Sequence, residues 1–591
     1  MQNNNQYKIT YNVVNECSAR GACSISPAIV ALEELSLSFL QQIAYYMLKL
    51  ENFGANNKNI KIEITQIIAS MVSVNEFSEN QLYSIILKEY YILQETLRIY
   101  SDICKKTKLP RKLLNKQIKF NEKTNLSKAI ALGEKIFFDK YQKTSTKQKN
   151  FVSILIIVLK SVSLNLIKLN DFGKFNNSTF HELLEILNLF NSKNINSEIL
   201  ISQIDRLSKL DNGLQDEISQ QLISTFGEIS KVKVSHSTRK GKAILVSGNN
   251  FFDLMAILED TKDKNIDIYT HSNLLITHAL SNFQKFDHLK GHYGDTTENC
   301  ILDFATFPGA ILLTKNSRGN SEYFYRGRLF SNDYIVPDGV IKLSDNNYEE
   351  VIESALNAKG FSKGKIKNDT NLGFNKDEIL IEFENICKKV NNGDIKRLYI
   401  IGFDAHSEVQ KEYFKDFFSK LNNDEFVISF SYESFKDNVL TINVGNYVPI
   451  AMNVLKLLFN KLTITDNRIT FFFTTCDVMT ISGLINLKNL NAKNIYMSEC
   501  SPTLVNPSVY TTLCENYNIK TTTTPENDLK NIRIWILFNI KKADMLYNMS
   551  AKFLLTKKLV SVMSESLVSF SHFVSIFTFF ASCTLTVWSV D

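Results

Sequence analysis

Three runs in the middle of the chain decide how the protein is built: KAILVSG (242–248), IDIYTH (266–271) and GAILLTK (309–315). Their apolar residues stand side by side, without the in–out alternation of a half-exposed strand. Such runs read as strands buried on both faces, the mark of a parallel sheet. The stretches between them are amphipathic, and strands alternating with helices build βαβ units. The pattern repeats in RLYIIGF (397–403), EFVISFS (425–431), LTINVG (440–445), ITFFFTT (469–475) and KNIYMSE (493–499). The polar stretch KGKIKNDTNLGFNKDE (363–378) is expected to link two such α/β domains.

Upstream the texture is helical. No proline lies between Pro27 and Pro110. Apolar residues recur at three- and four-residue spacing in ALEELSLSFLQQIAYYMLKL (31–50) and ENQLYSIILKEYYILQETLRIY (79–100). Further helices are expected at 126–141, 149–168, 178–190 and 213–228. The fold class is therefore a multidomain α plus α/β chain, a helical bundle followed by two parallel-sheet α/β domains. The expected divisions are 1–27, an N-terminal segment; 28–235, the bundle; 240–365 and 379–530, the α/β domains; and 531–591, an atypical apolar extension. Both tryptophans, Trp535 and Trp588, fall in that extension, and 566–590 contains no Lys, Arg, Asp or Glu. Its Ser and Thr content and His572 argue against a membrane span.

Composition narrows the function classes. The 591 residues are 44% hydrophobic and 22% charged, ordinary for a soluble globular protein. A net charge of +6 is small for this length and does not predict nucleic-acid binding. Nine cysteines are too sparse for a disulfide scaffold and fit a reducing, cytoplasmic setting. The first residues, MQNNNQYKIT, lack the basic and apolar regions of a secretory signal. There is no P-loop, no GxGxxG after a strand, no HExxH, no GxSxG and no CxxC.

Ligands of open α/β sheets sit beyond the carboxyl ends of the strands. His271 ends one strand, with Asn273 and His278 following. Cys476 and Asp477 end another, and a Cys–Asp pair there suits metal ligation or an activated thiol, or a plain helix cap. Cys300 follows Glu298, and Arg326 and Arg328 suit an anion or surface carboxylates. Cys17 and Cys23, in ECSARGACSISP, supply two thiolates where a cluster or zinc site needs about four.

The block IYTHSNLLITHALSNFQKFDHLKGHYGDTTENCILDFATFPGAILLTKNS (268–317) goes further. With YRGRLFSNDYIVPDGV (325–340) and VIESALNAKGF (351–361), it resembles the hybrid-cluster proteins. These are also called prismane proteins or hydroxylamine reductases and are related to carbon monoxide dehydrogenases. CSARGAC (17–23) resembles the second half of that family's N-terminal cysteine motif. LINLKNLNAKNIYMSECSPTLVNPSVY (484–510) resembles its C-terminal segment. The likeness runs over about residues 12–525. It implies a helical domain and two Rossmann-like α/β domains. It also implies a cubane-type cluster on four N-terminal cysteines and a hybrid iron–sulfur–oxygen cluster between domains. The implied activity is reduction of hydroxylamine to ammonia, or of nitric oxide.

This chain departs from the family at the ligands. Of the four N-terminal cysteines only the second pair has counterparts, Cys17 and Cys23. At the hybrid cluster, Asn249 stands for the His, Asn273 for a Glu, and Ser317, Phe403, Tyr432 and Tyr447 for cysteines. Asp477 stands for the last Glu, and Met479 for a nearby lysine. Sulfide-bridged iron needs soft, anionic donors, which amides, hydroxyls and a phenyl ring do not supply. The expectation is a degenerate paralogue without the hybrid cluster, its void refilled by Phe403, Tyr432 and Tyr447, acting as a binding or regulatory protein. The alternative is an active hydroxylamine or nitric oxide reductase, with a different metal site drawn from His271, Cys300, Cys476, Asp477 and Cys500. A third expectation is a homodimer in which two chains pool Cys17 and Cys23 on one iron–sulfur cluster. A fourth is a polar small molecule bound by Asn249, Asn273, Tyr432, Tyr447 and Asp477. The expected partner is a redox protein or an intact family member, with no nucleic acid and no membrane.

Overall fold

The structure is a computed structural model of the full chain. It describes residues 26–534 apart from 56, 73–76, 116, 193–194, 295–298, 316–324, 337, 345–346, 403–407, 435, 475–477 and 498–506. The chain divides into two compact units, Met1–Pro525 and Glu526–Asp591. Of the second, the described residues 526–534 are helical.

The first unit opens with seven helices: α1 (Pro27–Asn52), α2 (Lys58–Ser70), α3 (Glu79–Thr107), α4 (Leu126–Tyr141), α5 (Thr146–Asp171), α6 (Asn177–Leu189) and α7 (Ser197–Phe226). Each starts behind a Ser or Asn whose side chain accepts a hydrogen bond from a first-turn amide: Ser26, Asn57, Ser78, Asn125, Ser145, Asn176 and Asn196. Each such cap is worth about 1 kcal/mol. It gives the Asn- and Ser-rich loops a structural task. The expected helix at 213–228 is the second half of α7, which begins at Ser197 because Leu200, Ile204 and Leu207 continue its buried stripe.

Most of helix α5 is buried, and it packs on α2 and α7. Among the described helices it is long and apolar enough to cross a membrane, yet 83% of its apolar window is buried inside the protein. The length test is met here by a core helix.

The first α/β region comprises β1 (Val232–Val234), β2 (Lys242–Ser247), α8 (Phe251–Thr261), β3 (Ile266–His271), β4 (Leu289–His292), α9 (Cys300–Thr306), β5 (Ala310–Leu313), β6 (Leu329–Ser331), β7 (Ile341–Lys342) and α10 (Glu349–Asn357). The second comprises β8 (Thr370–Leu372), α11 (Lys376–Asn392), β9 (Arg397–Ile401), α12 (Glu408–Ser419), β10 (Glu425–Ser429), β11 (Val439–Thr441), α13 (Val448–Phe459), β12 (Ile469–Phe473), α14 (Val478–Asn489), β13 (Asn494–Met497), α15 (Pro507–Tyr517) and β14 (Lys520–Thr521). The two six-stranded sheets run β4-β3-β2-β5-β6-β7 and β11-β10-β9-β12-β13-β14. All their pairings are parallel. Both orders reverse direction once, beside the first long strand, which is the doubly wound Rossmann arrangement.

All eight apolar runs of the sequence are strands of these sheets. The stretch 363–378 differs from its expectation. It is not a free linker: β8 pairs antiparallel with β1, and Lys365 exchanges backbone hydrogen bonds with Thr238. Its polar residues conceal that pairing, which satisfies backbone groups between the sheets. Helices α13 and α14 pack on α7, and α14 and α15 on α5, so the second sheet's helices rest on the bundle.

Candidate functional site

The reversal of the first sheet lies between β2 and β5, which diverge beyond Ser247 and Leu313. Thr314 closes the gap. Its amide donates to the Ser247 carbonyl at 2.9 Å, and its hydroxyl accepts from the amides of Asn249 at 3.1 Å and Asn250 at 3.2 Å. Asn250 caps α8 through the Asp253 amide at 3.1 Å. Three of the amides that could cradle an anion at this helix start, those of Asn249, Asn250 and Asp253, are thus engaged within the chain.

Asn250 also reaches out of the sheet. Its amide donates to Asp171 at 2.8 Å, on the last residue of α5. Burial pushes the Asp171 carboxyl up to about 7, with Asp253 adding to the rise and Lys315 opposing it. One turn earlier Lys168 is 6% exposed. Its Nζ lies 3.7 Å from Met479 Sδ and 5.6 Å from the centre of the Tyr447 ring. Tyr447 packs in turn on Phe251, ring centres 5.1 Å apart. Burial first, and the Asp171 charge second, hold its phenol well above the ordinary range, so the hydroxyl stays protonated.

A backbone turn delivers Tyr447 to this place. Gly445 and Asn446 both adopt φ of 61°. A Cβ at Gly445 would stand 2.6 Å from the Ile276 amide nitrogen. Glycine alone permits that approach of the β11–α13 loop to the 3-10 turn Ser272–Ala279. Asn273 is half-buried on that same turn.

Of the expected positions, Tyr447 and Met479 therefore meet at Lys168, and Asn249 stands beside Asn250 at the edge of the same group. Tyr432 belongs to a second group at the carboxyl ends of β10 and β12. Its ring lies 4.6 Å from Phe414, its hydroxyl donates to Gln410 at 3.4 Å, and Gln410 donates to the Thr474 carbonyl at 2.8 Å. Cys17, Cys23, Ser317, Phe403, Cys476, Asp477 and Cys500 lie outside the described residues.

His271 has a different setting. Its Nδ1 lies 2.8 Å from the Ser247 hydroxyl, its register partner on β2, and its Nε2 lies 3.4 Å from Asp303. Gly294 makes room for that pair, since a Cβ there would stand 2.5 Å from the carboxylate. Cys300 is half-buried, at the start of the same helix as Asp303. Among the described residues no three His, Cys, Asp or Glu are placed to hold a metal ion. His271 and Cys300 therefore do not form such a group with any third described side chain. Arg328 serves the backbone, donating to the carbonyls of Phe304 at 2.7 Å, Gly309 at 2.8 Å and Phe307.

Sequence patterns miss Lys168, Asp171, Asn250 and Gln410. Lys168 and Asp171 sit in a helix that also carries Lys147, Lys149 and Lys160, where charges ordinarily read as a solvated stripe.

Residues 12–447 match the Prismane/CO dehydrogenase family. The chain belongs to that family. Its relatives include proteins named hydroxylamine reductase. The one from Thermodesulfovibrio yellowstonii is 23% identical over 88% of this chain and 98% of its own length. The one from Maridesulfovibrio salexigens is 23% identical over 87% and 97%. The one from Methanocella arvoryzae is 28% identical over 52% and 59%. Among solved structures, a Ni-free carbon monoxide dehydrogenase from Thermococcus sp. AM4 aligns with 86% of each chain, at 11% identity and a TM-score of 0.46. Iron–sulfur clusters are the family's cofactors. Around Lys168 this chain presents a protonated phenol, a thioether and an ammonium group, with an amide alongside. None of these is the soft, anionic donor that bridged iron requires, so these described side chains do not fit a cluster.

Proposed function

We propose that this family member has lost the hybrid cluster and works as a binding or regulatory protein. The observation that carries the proposal is the Lys168 group. A lysine ammonium stands between the Tyr447 ring and the Met479 thioether, at two positions where the family resemblance expects a cluster cysteine and a nearby lysine. Neither side chain offers a thiolate, and a buried aromatic ring fills volume that an absent cluster would leave as a costly void. On this reading the protein keeps the family scaffold and offers its surface to others. Its setting is the cytoplasm, beside a redox partner or an intact family member.

The alternative is a working reductase that converts hydroxylamine to ammonia, and the names of the relatives favour it. Iron and acid-labile sulfide, measured on protein purified without oxygen, separate the two. The proposal expects no iron at hybrid-cluster stoichiometry and no cluster signal in electron paramagnetic resonance. About four or more iron atoms per chain, with hydroxylamine turnover that follows iron content, would overturn it. About two per pair of chains, abolished by Cys17→Ser, would instead identify a cluster shared through the N-terminal cysteines.

A further inference from the structure

The small net charge hides a concentration. Residues 231–242 contain five Lys and Arg, and residues 359–369 contain four. Against these nine cations the two stretches hold one carboxylate, Asp369, while the whole chain nets +6. The rest of the protein is therefore slightly acidic.

The fold lays these two stretches against each other. β1 pairs antiparallel with β8. Thr238 and Lys365 exchange backbone hydrogen bonds at 2.9 and 3.0 Å, and Gly241 and Phe361 do so at 3.1 and 2.8 Å. The Ser237 hydroxyl bonds both backbone groups of Lys367, at 3.0 and 3.1 Å. Three steps from Thr238 to Gly241 face four from Lys365 to Phe361, so the second stretch bulges outward. All of 362–369 is exposed.

Neutralisation within the chain is partial. Lys231 pairs with Glu378, Arg239 with Asp267, and Lys367 stands 5.8 Å from the Tyr293 ring centre. Lys233, Lys240, Lys359, Lys363 and Lys365 have no carboxylate within ion-pair distance among the described residues. Like charges on paired strands repel, so a ribbon that gathers them without internal acids is stabilised by an outside anion.

We propose that this basic ribbon docks an acidic, extended segment of a partner protein. Lys365 and Lys367 stand on alternate residues, about 7 Å apart along an extended chain, the same repeat as alternate Asp or Glu on a partner strand. Nucleic acid fits less well: the ribbon's one arginine is engaged by Asp267, and 362–369 has no aromatic ring on which bases stack. A lipid surface fits less well too. The exposed apolar anchor is the single Ile366, 94% exposed, with no amphipathic helix around it. The proposal holds whether or not the chain carries a cluster.

The test uses the full chain and a fluorescein-labelled peptide of alternating Glu and Ser, about 20 residues long, read by anisotropy in 50 and 200 mM salt. Binding should weaken steeply with salt. Changing Lys240, Lys363, Lys365 and Lys367 together to Gln should cost at least about tenfold in affinity. The same change at four exposed lysines elsewhere, Lys105, Lys106, Lys123 and Lys128, should cost less than about twofold. The pair Lys363→Gln and Lys365→Gln repeats the comparison if the fourfold variant folds poorly. Absence of binding at low salt, or equal losses in the two sets, would overturn the proposal. So would tighter ribbon-dependent binding to duplex DNA or to phosphatidylserine vesicles.

Discussion

Replacing Tyr447 with Ala probes the Lys168 group most directly. The side chain is 3% exposed, packs on Phe251 and lies beside Lys168. A buried aromatic of this size removes about 150–250 Å² from water. At about 25 cal/mol per Å² that is about 4–6 kcal/mol. Burying the phenol oxygen subtracts from this, and the cavity left behind adds to it. The expected loss is therefore about 4 kcal/mol, within the usual range for aromatic-to-Ala changes in cores. Tyr447→Leu should lose about half as much, because it retains most of the volume. The assay is urea unfolding followed by far-ultraviolet circular dichroism, with the transition reporting helices compared among variants. A cycle with Phe251→Ala isolates the ring contact and should give a coupling of about 0.5–1.5 kcal/mol. A loss below about 1 kcal/mol for Tyr447→Ala, or purely additive single changes, would refute the claim that this ring fills a packed space.

Acid should destabilise the first α/β region through His278, which is half-buried against the Thr270 hydroxyl at 2.8 Å. Burial first, and the charge of His236 second, push it down to about 4. The folded protein keeps it neutral while the unfolded chain protonates it near 6.5, so its stability contribution is present above about 6.5 and lost as pH falls toward about 4. The gap amounts to roughly 3 kcal/mol. His278→Gln should flatten the dependence of the urea midpoint between those values, and an unchanged profile would sink this account. Gly445→Ala should cost about 2–4 kcal/mol, combining a left-handed φ with a Cβ driven into the Ile276 backbone. Gly393→Ala, with φ of 86° and nothing within 4 Å, should cost only about 1 kcal/mol. Thermal melts that rank the two equally would remove the packing argument.

The central strands were legible because burial on both faces writes itself into consecutive residues. Ile244 to Val246 and Phe471 to Phe473 are apolar and almost fully buried. The short strands β4, β6, β7 and β14 were not legible, since two to four residues give no period to read. The pairing of 363–378 was missed because its strand-forming groups are backbone amides, which every residue carries. Family membership was also legible, because it resides in the order of residues along the chain.

The site divides in the same way. Residue types alone mark the missing donors, since an Asn, a Tyr or a Met cannot act as a bridging thiolate in any fold. Neighbours are another matter. Lys168 and Asp171 look like the solvated stripe of an amphipathic helix, and only the packing of α8, the β11–α13 loop and α14 around the end of α5 turns them inward. The basic ribbon likewise joins two stretches more than a hundred residues apart, each unremarkable alone. Periodicity and donor chemistry are local, so the linear order of residues carries them. The company a side chain keeps depends on which distant segments close upon it, and that is decided only when the cores pack.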